Sequence, residues 1–428
     1  MKEKVIKFIN LLTENKFSDN ISEENYSFIK YLIKLGMIKF NNFKSLLLQS
    51  KNIVDKMNYN FYCFSNDFFN FKEKTDVDYG RIRTELFNIP TFNKADANEL
   101  VSEISQIKFR FLYELKFEKF SINLFFYDKV RDEKLYLSLA KIVYLFVKTF
   151  DNGSFLNYNI RFLLIDFPRK LDQKISKSKN DFKLLSNKGF YNNSSGINNH
   201  NRKELVVTRK SGINGLLIHE LIHMLGLDFG YDLYSKTITN IENWETDWIN
   251  ENNILKTNNN IESFVEGICN SNTSYYLSIY NAIILNSKLK TDKINKYFKY
   301  FLYIEFIYSY INCVRLFNYF EKEYYNDIFN DSKNRFYYQN AYVFEYVVLR
   351  MFIISDYYNL LFKKMLKYNF NKLNKKNDNK NLQIELNKNL LKIVKTKKLE
   401  YDFNFISNIL LKYYDNNYIE YFATNLNI

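Results

Sequence analysis

Histidine is almost missing from this chain: His200, His219 and His223 are the three copies in 428 residues. Proline occurs twice and glycine ten times, which excludes collagen-like and Pro/Gly-rich low-complexity architectures. The three cysteines, Cys63, Cys269 and Cys313, are odd in number and far apart. They form no CxxC pair, which argues against a disulfide framework or a cysteine-based zinc finger. Each lies among aromatic or aliphatic neighbours, so buried free thiols in a reducing compartment are expected, with the cytoplasm as location. No uninterrupted apolar run of membrane-spanning length exists, so no transmembrane segment is expected. The nearest approach, residues 300–314, contains Glu305 and several tyrosines. Glu3, Lys4 and Lys7 break up the N-terminal apolar residues, so no signal peptide is expected either.

What is present is also uneven. There are 41 phenylalanines and 36 tyrosines, and asparagine, lysine and isoleucine recur throughout. These residues share A/T-rich codons, so much of the composition reads as genome bias. The same bias explains the charge. Lys plus Arg exceeds Asp plus Glu by 61 − 47 = 14, but the lysines are spread out and cluster only around 371–380. No recognised nucleic-acid motif accompanies them, so no strong specific nucleic-acid site is expected. The 46% apolar and 25% charged residues are ordinary for a globular protein with a core of normal size.

Periodicity divides the chain in three. Residues 1–105 read as a helical N-terminal region of short helices, with Leu11, Leu12, Phe28, Ile29, Leu32 and Leu35 at helical spacing. Residues 106–230 read as an α/β unit: two alternating strands within 108–127, a helix at 134–150, and a strand at 158–167 stopped by Pro168. A polar loop, a short strand at 204–208 and a helix from about Ser211 to Gly226 follow. Residues 231–428 read as a helical subdomain, with helices near 292–326 and 335–368 and a Lys/Asn-rich linker near 368–381. The fold class expected is therefore α+β.

Two of the three histidines fall in His219-Glu220-Leu221-Ile222-His223. On a helix, this HExxH spacing puts both imidazoles on one face, able to reach a single ion, with Glu220 beside the open coordination position. With so few histidines, chance gives this pattern about once in a thousand such chains. Leu216, Leu217, Leu221, Ile222 and Leu225 make the helix apolar elsewhere, so it should be buried. Buried polar groups need partners, and a metal supplies them. One zinc ion per chain is expected. An HExxHxxGxxH continuation is not met: Gly226 fits, but Phe229 stands at the third-ligand position and Asp228 misses the register by one residue. His200, in the polar loop, reads as a surface residue.

Downstream, Glu262 and Glu266 are four apart in NNNIESFVEGICN, behind a candidate cap at Asn260. This pair resembles the ExxxD element of gluzincin metallopeptidases. That resemblance implies a zincin-like core, Glu262 as third metal ligand and Glu266 as the outer partner of His219 or His223. Glu266 is longer than the family's Asp, and the reverse assignment stays open. The stretch LVVTRKSGINGLLIHELIHMLGLDF and the later QNAYVFEYVVLRMF are similar to metallopeptidases encoded by large nucleocytoplasmic DNA viruses. This similarity covers about 110–355 and implies a fold and a metal, but no substrate. A viral origin would place the chain in host cytoplasm or virion. The implied activity is hydrolysis of peptide bonds in a peptide or protein substrate, with Glu220 as general base. Zincins align an extended substrate along the strand before the motif helix, here 204–208. Tyr342, Tyr346 and Arg350, at helical spacing, are candidate transition-state stabilisers, with core packing the competing role. A zinc-binding structural or virion-associated protein and a basic nucleic-acid-associated protein are the alternatives. The sequence does not indicate an oligomeric state.

Overall fold

A computed structural model describes residues 43–64, 69–73, 105–117, 121–150, 157–165, 175–176, 196–199, 204–210, 212–228, 264–286, 291–319, 325–328, 338–339, 345–355 and six positions between 399 and 407. The architecture is mixed α and β. The expected strands appear as β2 (Phe109–Lys116), β3 (Ser121–Asp128), β4 (Asn157–Leu164) and β7 (Glu204–Val207). Two strands escaped the periodicity: β1 (Phe69–Glu73) and β6 (Gly196–Asn199). The six form one sheet in the order β1-β2-β3-β4-β7-β6. The centre, β3-β4-β7, is parallel, and β2 and β6 flank it antiparallel. A two-residue pairing, β5 (Ile175–Ser176) with β8 (Tyr338–Gln339), stands apart.

The strand at 204–208 is therefore not an edge. It bonds to β4 on one side and β6 on the other. Among the described residues, β6 (Gly196–Asn199) ends the sheet on that side. Sequence reading failed there because GINN carries no alternating apolar pattern.

Alternation fixes which face of the sheet is covered. Phe111, Tyr113, Leu115, Ile122, Leu124, Phe126, Tyr158, Ile160, Phe162, Leu205 and Val207 are buried together with two helices, α2 (Glu133–Phe150) and α3 (Ile213–Met224). Phe126 stacks on Phe162 at 4.7 Å between ring centres. The opposite face carries Arg110 and Arg161 on either side of the Phe125 ring, at 5.6 and 5.3 Å.

Helix α1 (Phe43–Cys63) packs on α2, where Lys56 Nζ donates to the Thr149 carbonyl at 2.6 Å and Asn60 to its hydroxyl at 3.0 Å. So the described part of 1–105 joins the sheet through β1 and the core through α1. Beyond α3 come α4 (Phe264–Leu285) and α5 (Thr291–Tyr319). The helix expected over 335–368 is not continuous. Within it lie β8, a π-helical turn (Glu345–Leu349) and α6 (Arg350–Ser355). The residues named above in 1–42, the linker at 368–381 and His200 lie outside the described residues. Among the described residues, no helix is long and apolar enough to cross a membrane.

Candidate metal centre

Helix α3 is apolar on nearly every side and buried along its whole length except at His223. Such a helix belongs inside a core. It begins behind Gly212, whose φ of 65° suits a residue without a side chain, and no side-chain cap is present. The Ser211 expected to cap it lies outside the described residues. Its C-terminus closes on Gly226, at φ 63°. Gly226 N–H donates to the His223 carbonyl at 3.0 Å and Leu227 N–H to that of Ile222 at 2.9 Å. This paired pattern is the Schellman closure. It folds the chain back so that Asp228, buried, bonds His223 Nδ1.

The other wall is α4. Its buried stretch from Asn270 to Ser278 is unusually polar for a core helix. The hydroxyls of Ser271, Thr273, Ser274 and Ser278 donate to carbonyls four residues back. The amides reach across. Asn272 Nδ2 donates to the Leu227 carbonyl at 3.0 Å, bracing the turn that carries Asp228. Asn270 Nδ2 donates to the Tyr346 carbonyl at 2.9 Å. One turn before Asn270, Glu266 points at both histidines.

Three atoms converge there. His219 Nε2 and His223 Nε2 are 3.1 Å apart. Glu266 Oε2 is 3.2 Å from the first and 3.4 Å from the second. The Asp228 carboxylate oxygen at His223 Nδ1 suits a ring proton on that nitrogen, which leaves Nε2 to present a lone pair. Two imidazole lone pairs and a carboxylate oxygen facing one point repel one another unless a cation or extra protons sit between them. A tetrahedral ion bound at about 2.0–2.1 Å by nitrogen and oxygen has donor–donor edges of about 3.3–3.4 Å. The three edges, 3.1, 3.2 and 3.4 Å, come close to that triangle, so His219, His223 and Glu266 fit a small tetrahedral cation.

In the metal-free protein, protons take the cation's place. Burial works against a charged His219, but the Cys269 sulfur and the Glu266 carboxylate outweigh it and raise its pKa to about 10. His223 is raised as well: Cys269, Glu266 and Asp228 together overcome the same burial cost. Glu266 is held well below the carboxylate range by the two histidines, again against its burial.

Of the two acids, Glu266 is the one that lies among the described residues. Glu266, expected as the outer partner, has its oxygen in the ligand triangle. Glu262 lies outside the described residues. The outer partner of His223 is Asp228, five residues along the same segment. Glu220 sits buried between the histidines in sequence, on the same helix. Tyr346, on the π-helical turn, packs edge-on to the His219 ring at 5.6 Å. Arg350 does not reach the centre: its Nη2 donates to Glu305 at 2.6 Å and Ser274 at 2.7 Å, with the side chain buried. That places it as a tie between helices rather than a transition-state stabiliser. Tyr342 lies outside the described residues. Sequence reading missed Asp228 as a partner of His223, and it read Cys269 as a buried free thiol, which it is, without its place beside His219. The ExxC spacing from Glu266 to Cys269, which puts both near one helix face, was the available signal. No family model matches the chain, and no curated protein or solved structure matches it.

Proposed function

We propose that the chain is a zinc-dependent hydrolase of the metallopeptidase kind, built on a zincin-like core. The observation that carries this reading is the ligand triangle of His219, His223 and Glu266 on two packed helices. The Glu220 of HExxH sits in the middle of the first. His219 and His223 would hold the ion through Nε2, and Glu266 would supply the third donor. Zinc in such a site acidifies water and polarises a carbonyl oxygen. Glu220 takes the proton of the attacking water as its oxygen joins the peptide carbonyl carbon. Glu220 then delivers that proton to the departing amine as the C–N bond breaks, leaving a carboxylate and an amine. An extended peptide fits the end of the sheet at β6, which packs against α3 and offers backbone groups for strand pairing.

A closed structural site is the competing reading. It is favoured by one fact: His219, His223 and Cys269 each offer a donor atom within 4.8 Å of the others. Glu220→Gln separates the two. The hydrolase reading expects zinc content unchanged and chelator-sensitive cleavage of a peptide library reduced by about 100-fold or more. Undiminished cleavage by the Gln variant contradicts it. Native chain that holds zinc yet cleaves nothing in the library supports the structural site.

A further inference from the structure

His223 has a carboxylate behind it, and His219 has a sulfur. Cys269 is fully buried one turn along α4 from Glu266. Its Sγ lies 3.5 Å from His219 Nδ1 and 3.3 Å from the carbonyl oxygen of the same residue. Sγ stands as the donor to that carbonyl oxygen. Its lone pair is then left for the Nδ1–H of the ring. With Nδ1 protonated, Nε2 is the free nitrogen, and Nε2 is the atom in the ligand triangle.

We propose that Cys269 is the positioning residue of His219. Its thiol bridges the ring Nδ1–H and the His219 carbonyl, fixing both the tautomer and the rotation that aim Nε2 at the metal. The inference rests on the metal reading above and adds to it that the two histidines are held by unlike partners. Outer partners of metal-bound histidines are carboxylates, carbonyls or water in most sites; here one is a thiol, a weak donor and weak acceptor. The arrangement also assigns Cys269 a place outside the coordination sphere. To bind the ion itself, Sγ would have to lose its proton, abandon the carbonyl and come within about 2.3 Å of the metal, which the hydrogen bonding to His219 opposes.

The test uses the full chain loaded with zinc or cobalt(II), in native, Cys269→Ala and Cys269→Ser forms. Alanine removes both bonds. Serine retains a donor and an acceptor at the same place. Zinc affinity, by competition with a chromophoric chelator, is expected to fall about 10- to 100-fold in the alanine variant and to recover in the serine variant. The cobalt-loaded native chain is expected to show the ligand-field bands of a four-coordinate ion without thiolate-to-cobalt charge transfer in the near ultraviolet. A charge-transfer band that disappears in Cys269→Ala makes Cys269 a direct ligand and overturns the proposal. Native zinc affinity in the alanine variant overturns it too. If the alanine variant does not fold, the serine variant and the native cobalt spectrum decide. A native chain that takes up neither metal rejects the underlying metal reading, and the proposal with it. That result differs from one in which metal binds and Cys269 has no effect.

Discussion

At the scale of single residues, the proposed site is a contest between protons and a metal ion for the same lone pairs. HExxH was legible because two histidines at i and i+4 need nothing but a helix to face one way. Asp228 was not: its contact with His223 exists only because Gly226 and Leu227 fold the chain back over the last turn of α3. Cys269 was not, because its contact depends on how α4 lies against α3. The proton contest has a pH signature. Raising the folded pKa of His219 from 6.5 to about 10 means the metal-free fold binds more protons than the unfolded chain between those values. That stability is fully present below about pH 6.5 and is lost as pH rises through about 10. With zinc bound, the folded histidines carry no displaceable proton, while the unfolded ones still titrate near 6.5. Stability of the loaded protein should therefore rise toward pH 7 and then level. Thermal melts from pH 6 to 10, with chelator and with saturating zinc, are expected to show the two slopes diverging. Parallel profiles would show that His219 is not charged in the metal-free fold.

At the scale of elements, α4 organises the centre. It supplies Glu266 and Cys269, braces the Asp228 turn through Asn272, anchors the backbone of Tyr346 through Asn270 and receives Arg350 on Ser274. The helices and the aromatic strands were readable from apolar periodicity. β6 was hidden by its Gly and Asn residues, and the 335–368 region by tyrosines at every spacing, which imitate a continuous helix. Arg350 illustrates the difficulty. Tyr346 and Arg350 stand four apart, yet the first meets His219 and the second meets Glu305. Arg350→Met is expected to destabilise the fold by about 3–5 kcal/mol, since it strands a buried carboxylate. Replacing the pair together, with Arg350→Met and Glu305→Leu, should recover most of that loss. Urea unfolding of the three variants is the check. If Arg350→Met instead retains full stability while peptide hydrolysis collapses, the arginine acts at the site after all.

At the scale of the molecule, a mixed sheet covered by α2 and α3 on one face holds the motif helix, and α4 closes over it from the C-terminal half. The proposed metal centre therefore draws on residues more than forty positions apart, His219 and His223 on α3 and Glu266 on α4. The N-terminal region is likewise tied in, through β1 on the sheet and α1 on α2. Neither join was legible in the sequence, because local periodicity says nothing of which elements share a core. That closure carries the central proposal: the third ligand comes from α4, as Glu266. Elemental analysis of zinc per chain, for native protein and for Glu266→Ala purified side by side without chelator, tests this most directly. The expected result is one zinc per native chain and none retained by a folded Glu266→Ala variant. A full zinc complement in Glu266→Ala, or a folded native chain without metal after incubation with zinc, would contradict the account.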